Sequence, residues 1–321
     1  MRAVTRRAVT LSVVALGALP ATQARQDQQL RVPQTFRAGV DLVTVDVSVR
    51  DGNGPVAGLG TEDFVVLDNG VPQTVDVVEV SSLPIDVTVL IDTSGSMIGD
   101  LDAVVAQVRA ATALIDARDQ LRVVTFAWDV QAGRFSAAEG AEAIGNLRAF
   151  GATALLDGLA IALMRPRVED RRHLVIAYTD GGANYGALGG DDIMMVSRRT
   201  ESVLQVILVI VTPGMATVSP TPNEELRLDI RRRWYPPAVF KGYWSLGEVA
   251  RNTGGDLHVI GARADSTATI SEIIGRFRES YVLRYRVTGV PLPGWHDIDV
   301  RVPNRGGLSV RARRGYFIDE R

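Results

Sequence analysis

Asp92, Ser94 and Ser96 stand at alternate positions directly after an apolar run, Ile85 to Ile91. One carboxylate and two hydroxyls therefore leave the end of a buried strand together. Hard divalent cations take such oxygen ligands, and Mg²⁺ holds them at about 2.0–2.1 Å in near-octahedral geometry. Two further segments carry matching chemistry at strand–helix junctions: Gly151-Ala152-Thr153 opens a helical pattern, and Thr179-Asp180-Gly181-Gly182 closes an apolar strand pattern. Asp92 and Asp180 supply negative charge; Ser94, Ser96 and Thr153 supply neutral oxygens. Two carboxylates leave a dication partly uncompensated, so it keeps an appetite for one more anionic oxygen, such as a partner's Asp or Glu. The expected ion is Mg²⁺, with Mn²⁺ or Ca²⁺ as substitutes, and the expected act is binding rather than turnover. The competing readings are local. Asp92 and the serines could form an N-cap cluster ahead of Leu101, Thr153 could be an ordinary N-cap, and Asp180 could be a turn former ahead of Gly181-Gly182.

The elements that must position these residues change character along the chain. Val43, Val45, Val47 and Val49 alternate with polar residues, which is the period of a half-buried strand. Asp63 to Leu67 and Gln73 to Val80 read as further strands. Between them Asp68-Asn69-Gly70 signals a hairpin, since Asn-Gly supplies the two positive φ angles of a type I′ turn. Residues 37–80 thus read as a small β module. From Ile85 the strands become apolar on both faces, as in a parallel sheet covered by helices. Strands at Leu121 to Phe126, His173 to Thr179, Val203 to Val211 and Leu257 to Ile260 alternate with helical patterns at Leu101 to Ala117, Ala137 to Leu147, Thr153 to Met164, Asp191 to Thr200, Ser245 to Arg251 and Asp265 to Arg278. That alternation predicts a doubly wound, mostly parallel α/β sheet over 84–278. The stretch 213–243, with Pro213, Pro220, Pro222, Pro236 and Pro237, interrupts it as a long loop. Strand period returns in 280–319, a C-terminal β segment able to pack with 37–80.

The chain has 321 residues, 46% hydrophobic and 22% charged, with formal net charge −2. This is globular composition with no global field to recruit nucleic acid or anionic membrane. The N-terminus reads as a signal peptide over 1–24. Arg2, Arg6 and Arg7 form a basic region, Val9 to Leu19 an apolar one, and Ala21 and Ala24 are candidate cleavage points. The apolar run is short for a membrane span, which needs about 20 residues. Export to the periplasm, cell surface or medium follows, with no transmembrane domain after cleavage. The chain contains no cysteine, so neither disulfides nor thiol chemistry take part.

The ordered set Asp-x-Ser-x-Ser, then a distant Thr, then a distant Asp resembles the von Willebrand factor type A fold and its metal-ion-dependent adhesion site. The resemblance covers roughly Pro84 to Arg278. It implies that Ser94, Ser96 and Thr153 bind metal directly, and Asp92 and Asp180 directly or through water. Gly151-Ala152-Thr153-Ala154-Leu155 looks like the family's Gly-Gly-Thr-x-Leu segment, with Ala152 in place of a glycine. Val40 to Val47, Gly58 to Phe64 and Val310 to Tyr316 resemble a bacterial subgroup of exported proteins related to this family.

Other chemistries find little support. Ser94 interrupts any Asp-Thr-Gly protease motif, and no second copy exists to form a carboxylate dyad. There is no Gly-x-Ser-x-Gly elbow and no Gly-x-x-x-x-Gly-Lys-Ser/Thr phosphate loop. His173, His258 and His296 are far apart and read as structural. Arg231-Arg232-Arg233-Trp234-Tyr235 is a poor nucleic-acid site in a near-neutral exported chain. The expected function is a non-enzymatic, metal-dependent adhesion module that captures an acidic group of a protein or glycan. The alternatives are a metal-dependent enzyme component and a domain whose metal only stabilises the fold.

Overall fold

The computed structural model describes residues 42–319, apart from 53, 79–82, 136, 167, 169, 211–245, 262–264 and 292. The signal peptide expected over 1–24 and the loop 213–243 lie outside the described residues. The first strands are β1 (Leu42–Asp51), β2 (Gly54–Pro55), β3 (Val65–Asp68), β4 (Val71–Gln73) and β5 (Val75–Val78). There follow β6 (Ile85–Asp92), α1 (Leu101–Thr112), β7 (Gln120–Phe126), β8 (Val130–Phe135), α2 (Ala137–Ile144), α3 (Leu155–Leu163), β9 (Arg172–Thr179), α4 (Gly190–Arg199), β10 (Val203–Ile210) and β11 (Leu257–Gly261). The chain closes with α5 (Thr267–Arg278), β12 (Tyr281–Arg286), β13 (Gly294–Arg301), β14 (Leu308–Ala312) and β15 (Gly315–Ile318). Residues 246–252 are also helical.

The six-stranded sheet has the order β11-β10-β9-β6-β7-β8. Every pairing in it is parallel except β7 with β8. The doubly wound α/β architecture is therefore present, with an antiparallel edge. Strand β6 is buried along its whole length, and its side chains alternate between two cores. Val87, Val89 and Ile91 meet Val104 and Val108 of α1 and Ile270, Ile273 and Ile274 of α5. Leu90 meets Leu155, Leu159 and Leu163 of α3. Winding runs outward from β6 to β7 in one direction and from β9 to β10 in the other. The boundary between β6 and β9 is the topological switch point, where ligands bind beyond the strand carboxyl ends in open α/β sheets.

The remaining strands form two antiparallel sheets, β14-β1-β12-β5 with β2 on β1, and β15-β13-β3-β4. The even spacing of Val43, Val45, Val47 and Val49 buries all four, in a core shared with Tyr281, Leu283 and Tyr285. Both N- and C-terminal segments contribute, since β1 pairs antiparallel with β12 and with β14. Asn69 and Gly70 have φ of 46° and 80° and link β3 to β4 with Asp68 opposite Val71, the hairpin that Asn-Gly encodes. The strand expected over Gln73 to Val80 is split at Thr74 between β4 and β5, which join different sheets. Strand β8 carries no sequence signal of its own. Val130-Gln-Ala-Gly-Arg-Phe is an edge segment with one partner, so it has no need of an apolar run.

Two buried polar groups brace the lower end of this sheet. Asp86, inside the apolar run of β6, accepts from Arg171 Nε at 2.7 Å and pairs with Arg165. His173 of β9 sits 2.7 Å from Thr88 Oγ1 through Nε2 and 2.6 Å from Ser202 Oγ through Nδ1. Burial first, then the charge of Arg165, holds its pKa down to about 3 against an ordinary 6.5. The native imidazole is neutral while the unfolded one binds a proton near pH 6.5, so its contribution is complete above that pH and is lost as pH falls towards 3. The expected loss is about 2 kcal/mol by about pH 5. Urea denaturation at neutral pH and at about pH 5 should show this loss in the wild type and not in His173→Gln.

Candidate metal centre

Asp92 ends β6 beside Thr179, the last residue of β9, because Ile91 is in register with Tyr178. Thr179 Oγ1 donates to Asp92 Oδ2 at 2.8 Å. The other carboxylate oxygen, Oδ1, accepts from Ser94 Oγ at 2.5 Å and from the Ser94 amide at 2.9 Å. Ser94 Oγ lies 3.1 Å from Ser96 Oγ. Asp92 and Ser94 are fully buried.

The second segment is drawn in by backbone bonds. The Phe150 amide donates to the Thr93 carbonyl at 2.9 Å, and the Gly95 amide to the Gly151 carbonyl at 3.0 Å. Gly151 has φ +85°, and a Cβ there would fall 2.0 Å from the Trp128 ring, so glycine is needed for the turn and for the close approach of the indole. Thr153 is buried. The third segment closes over it: the amides of Asn184 and Tyr185 donate to the Thr153 carbonyl at 3.2 Å, and Asn184 Oδ1 accepts the Thr153 amide at 2.8 Å. A methyl at Gly182 would lie 3.2 Å from Asp180 Oδ1 and 3.9 Å from Thr153 Oγ1, so these two side chains overhang the same point. All five expected residues, Asp92, Ser94, Ser96, Thr153 and Asp180, thus come from three segments that meet at the switch point.

The local alternatives fare unequally. Helix α1 starts at Leu101 with Asp100 as its N-cap residue, and no side chain caps it. Helix α3 starts at Leu155 with Ala154 in that place, again without a side-chain cap. Neither the Asp92 cluster nor Thr153 therefore serves as a helix cap. Asp180 does hold a turn, since Oδ1 accepts the Gly182 amide at 2.9 Å. That bond uses one lone-pair site of a carboxylate that has about four.

Electrostatically the site is an acid pair in a confined place. Burial pushes the Asp92 pKa up to about 6, hydrogen bonds from Ser94 work against that, and the charge of Asp180 adds to it. A cation offsets both burial and repulsion, and two carboxylates with three hydroxyls form a hard, all-oxygen donor set. These residues fit a divalent ion of the Mg²⁺ type. Among the described residues no group of three His, Cys, Asp or Glu side chains is placed to hold a metal. His173, His258 and His296 all lie elsewhere; His258 contacts Gln205 at 2.9 Å and His296 contacts Asp68 at 2.7 Å. Large apolar side chains are exposed on the loops at this end of the sheet. Ile98, Trp128, Phe150 and Tyr185 come from four different loops and are all exposed, and Trp128 meets Tyr185 edge to face at 5.3 Å.

Sequence reasoning did not assign roles to Thr179 or Asn184. Thr179 orients Asp92 and also accepts the Gly181 amide at 3.0 Å. Its place beside Asp180 was the available signal. Asn184 had none, because a loop asparagine is ordinary turn chemistry until its partner is known.

The chain is similar in structure to von Willebrand factor type A domains. A von Willebrand factor type A protein from Catenulispora acidiphila aligns over 88% of this chain and 75% of its own, with 13% identity and TM-score 0.45. An aerotolerance-related membrane protein from Bacteroides fragilis aligns over 61% of this chain and 99% of its own, with 15% identity and TM-score 0.44. The conserved hypothetical protein BatB from Bacteroides thetaiotaomicron aligns over 60% and 98%, with 15% identity and TM-score 0.43. No protein-family model matches the sequence, and no curated protein matches it. Among the described residues no helix is long and apolar enough to cross a membrane.

Proposed function

We propose that this chain is an exported binding module that captures an acidic group of a protein or glycan partner through a divalent cation held by Asp92, Ser94, Ser96, Thr153 and Asp180. The observation that carries the reading is the convergence of these residues at the β6–β9 switch point, with the Asp92 carboxylate bonded by Ser94 and Thr179. A bound Mg²⁺ supplies a positive charge that only two protein carboxylates balance, leaving an attraction for a third from outside. Ser94 and Thr179 hold Asp92 in one rotamer, and Gly151 places Trp128 beside the opening. The exposed Ile98, Trp128, Phe150 and Tyr185 supply the apolar rim expected around a small charged hot spot. In this reading the module binds its partner and does not turn over a substrate.

Calorimetry with Mg²⁺ or Mn²⁺ should show one site, and capture of an envelope partner should be lost on chelation. Thr153→Ala should lower ion affinity by at least about tenfold while costing only about 1 kcal/mol of folding stability, because the hydroxyl caps no helix. Equal loss of stability and binding, or no heat with either ion, counts against the site.

A further inference from the structure

A cavity of about 540 Å³ opens at the pole of the six-stranded sheet opposite the metal centre. Its walls come from both halves of the fold: Thr44 and Asp46 of β1 and Val282 and Arg284 of β12 on one side, the start of β9 and the ends of α3 and α4 on the other. The size is that of a small-molecule site. Part of the wall is apolar, with Leu163, Met164, Val168, Met195 and Val282. Met164, Val168 and Met195 are 69%, 42% and 47% exposed. Three such side chains gathered at one mouth form an open apolar patch rather than scattered surface residues.

The rest of the wall carries both signs of charge, with five arginines and four carboxylates among the described residues. Arg165 and Arg171 both pair with the buried carboxylate of Asp86. Among the described residues Arg284 pairs with Asp170, 3.6 Å away and 80% exposed, a pair of little strength. Arg172 bonds Asp46 and Ser280, yet its Nη1, in a side chain only 4% exposed, has no acceptor among the described residues. Arg284 Nε is likewise buried without one. Guanidinium N–H groups left without acceptors are costly, and a carboxylate is their best complement. Arg284 and Asp46 project from adjacent strands, since Thr44 is in register with Arg284 and Asp46 with Val282. The two deficient guanidiniums therefore belong to one end of the cavity.

We propose that this cavity is a second binding site, for an amphipathic carboxylate of the fatty-acid type. Its apolar chain lies along Leu163, Met164 and Met195, and its headgroup is received by Arg284 with Arg172 behind it. The site is independent of the metal centre. Calorimetric titration of the full chain with decanoate should give saturable one-to-one binding, and 1-decanol should bind at least about tenfold more weakly. Arg284→Gln should weaken decanoate by about tenfold and leave decanol unchanged, while Met195→Asp should abolish both. Far-UV circular dichroism and a cooperative melt check that both variants are folded, as expected for changes at partly open side chains. Absence of decanoate binding, equal binding of acid and alcohol, or decanoate affinity unaltered by both substitutions overturns the proposal.

Discussion

Asp92→Asn should abolish Mg²⁺ binding while leaving the ion-free fold within about 1 kcal/mol of the wild type. The amide is nearly isosteric with the carboxylate. Its oxygen can still accept from Ser94 Oγ and the Ser94 amide, and its nitrogen can donate to Thr179 Oγ1, which turns from donor to acceptor. What disappears is a charge that burial and Asp180 already make costly. Without a cation that loss is tolerated; with one, the central anionic ligand is gone. In the wild type an ion at 100 times its dissociation constant should add about 2.7 kcal/mol of stability, and the variant should gain none. Calorimetry and urea denaturation with and without Mg²⁺ read both effects. Asp92→Ala is a poorer probe, because it strands three donors in the core at about 1–3 kcal/mol each and confuses folding with binding. Undiminished Mg²⁺ binding by the asparagine variant would remove Asp92 from the site.

Arg172→Ala should destabilise the protein by about 3–5 kcal/mol. Arg172 Nε donates to Asp46 Oδ1 at 2.6 Å and Nη2 to Ser280 Oγ at 2.6 Å, while the guanidinium lies 3.9 Å above the Phe277 ring. One side chain thereby ties β9 of the parallel sheet to β1 of the antiparallel one and to the end of α5. Truncation leaves the Asp46 carboxylate, only 15% exposed, without its cation. Adding Asp46→Asn should recover a substantial part of the loss, and a double-mutant cycle by urea denaturation measures how much. If the two substitutions cost the sum of their separate effects, the pair does not join the two halves.

The five candidate donors could be picked out because their types are rare in combination and the first three follow the strand period. Asp92, Ser94 and Ser96 alternate at the end of a largely apolar run, and each distant partner lies within two residues of a glycine at an element boundary. The cores were legible for a similar reason, since Val43, Val45, Val47 and Val49 repeat every second residue. Element ends were less so. Helix α3 begins at Leu155 rather than Thr153, because the Thr153 carbonyl accepts the Asn184 and Tyr185 amides instead of a helical one and Ala154 has a non-helical ψ of 51°.

Sequence alone therefore determined the fold class, the apolar faces and the inventory of candidate ligands, all of which are written in local residue type and periodicity. Tertiary structure decided the rest. It set Thr179 against Asp92, locked Thr153 with Asn184, placed Arg165 and Arg171 around the buried Asp86, and made β8 an antiparallel edge. Each of those depends on a pairing between residues distant along the chain. Such pairings follow from strand order and register, and no local pattern of side chains records them.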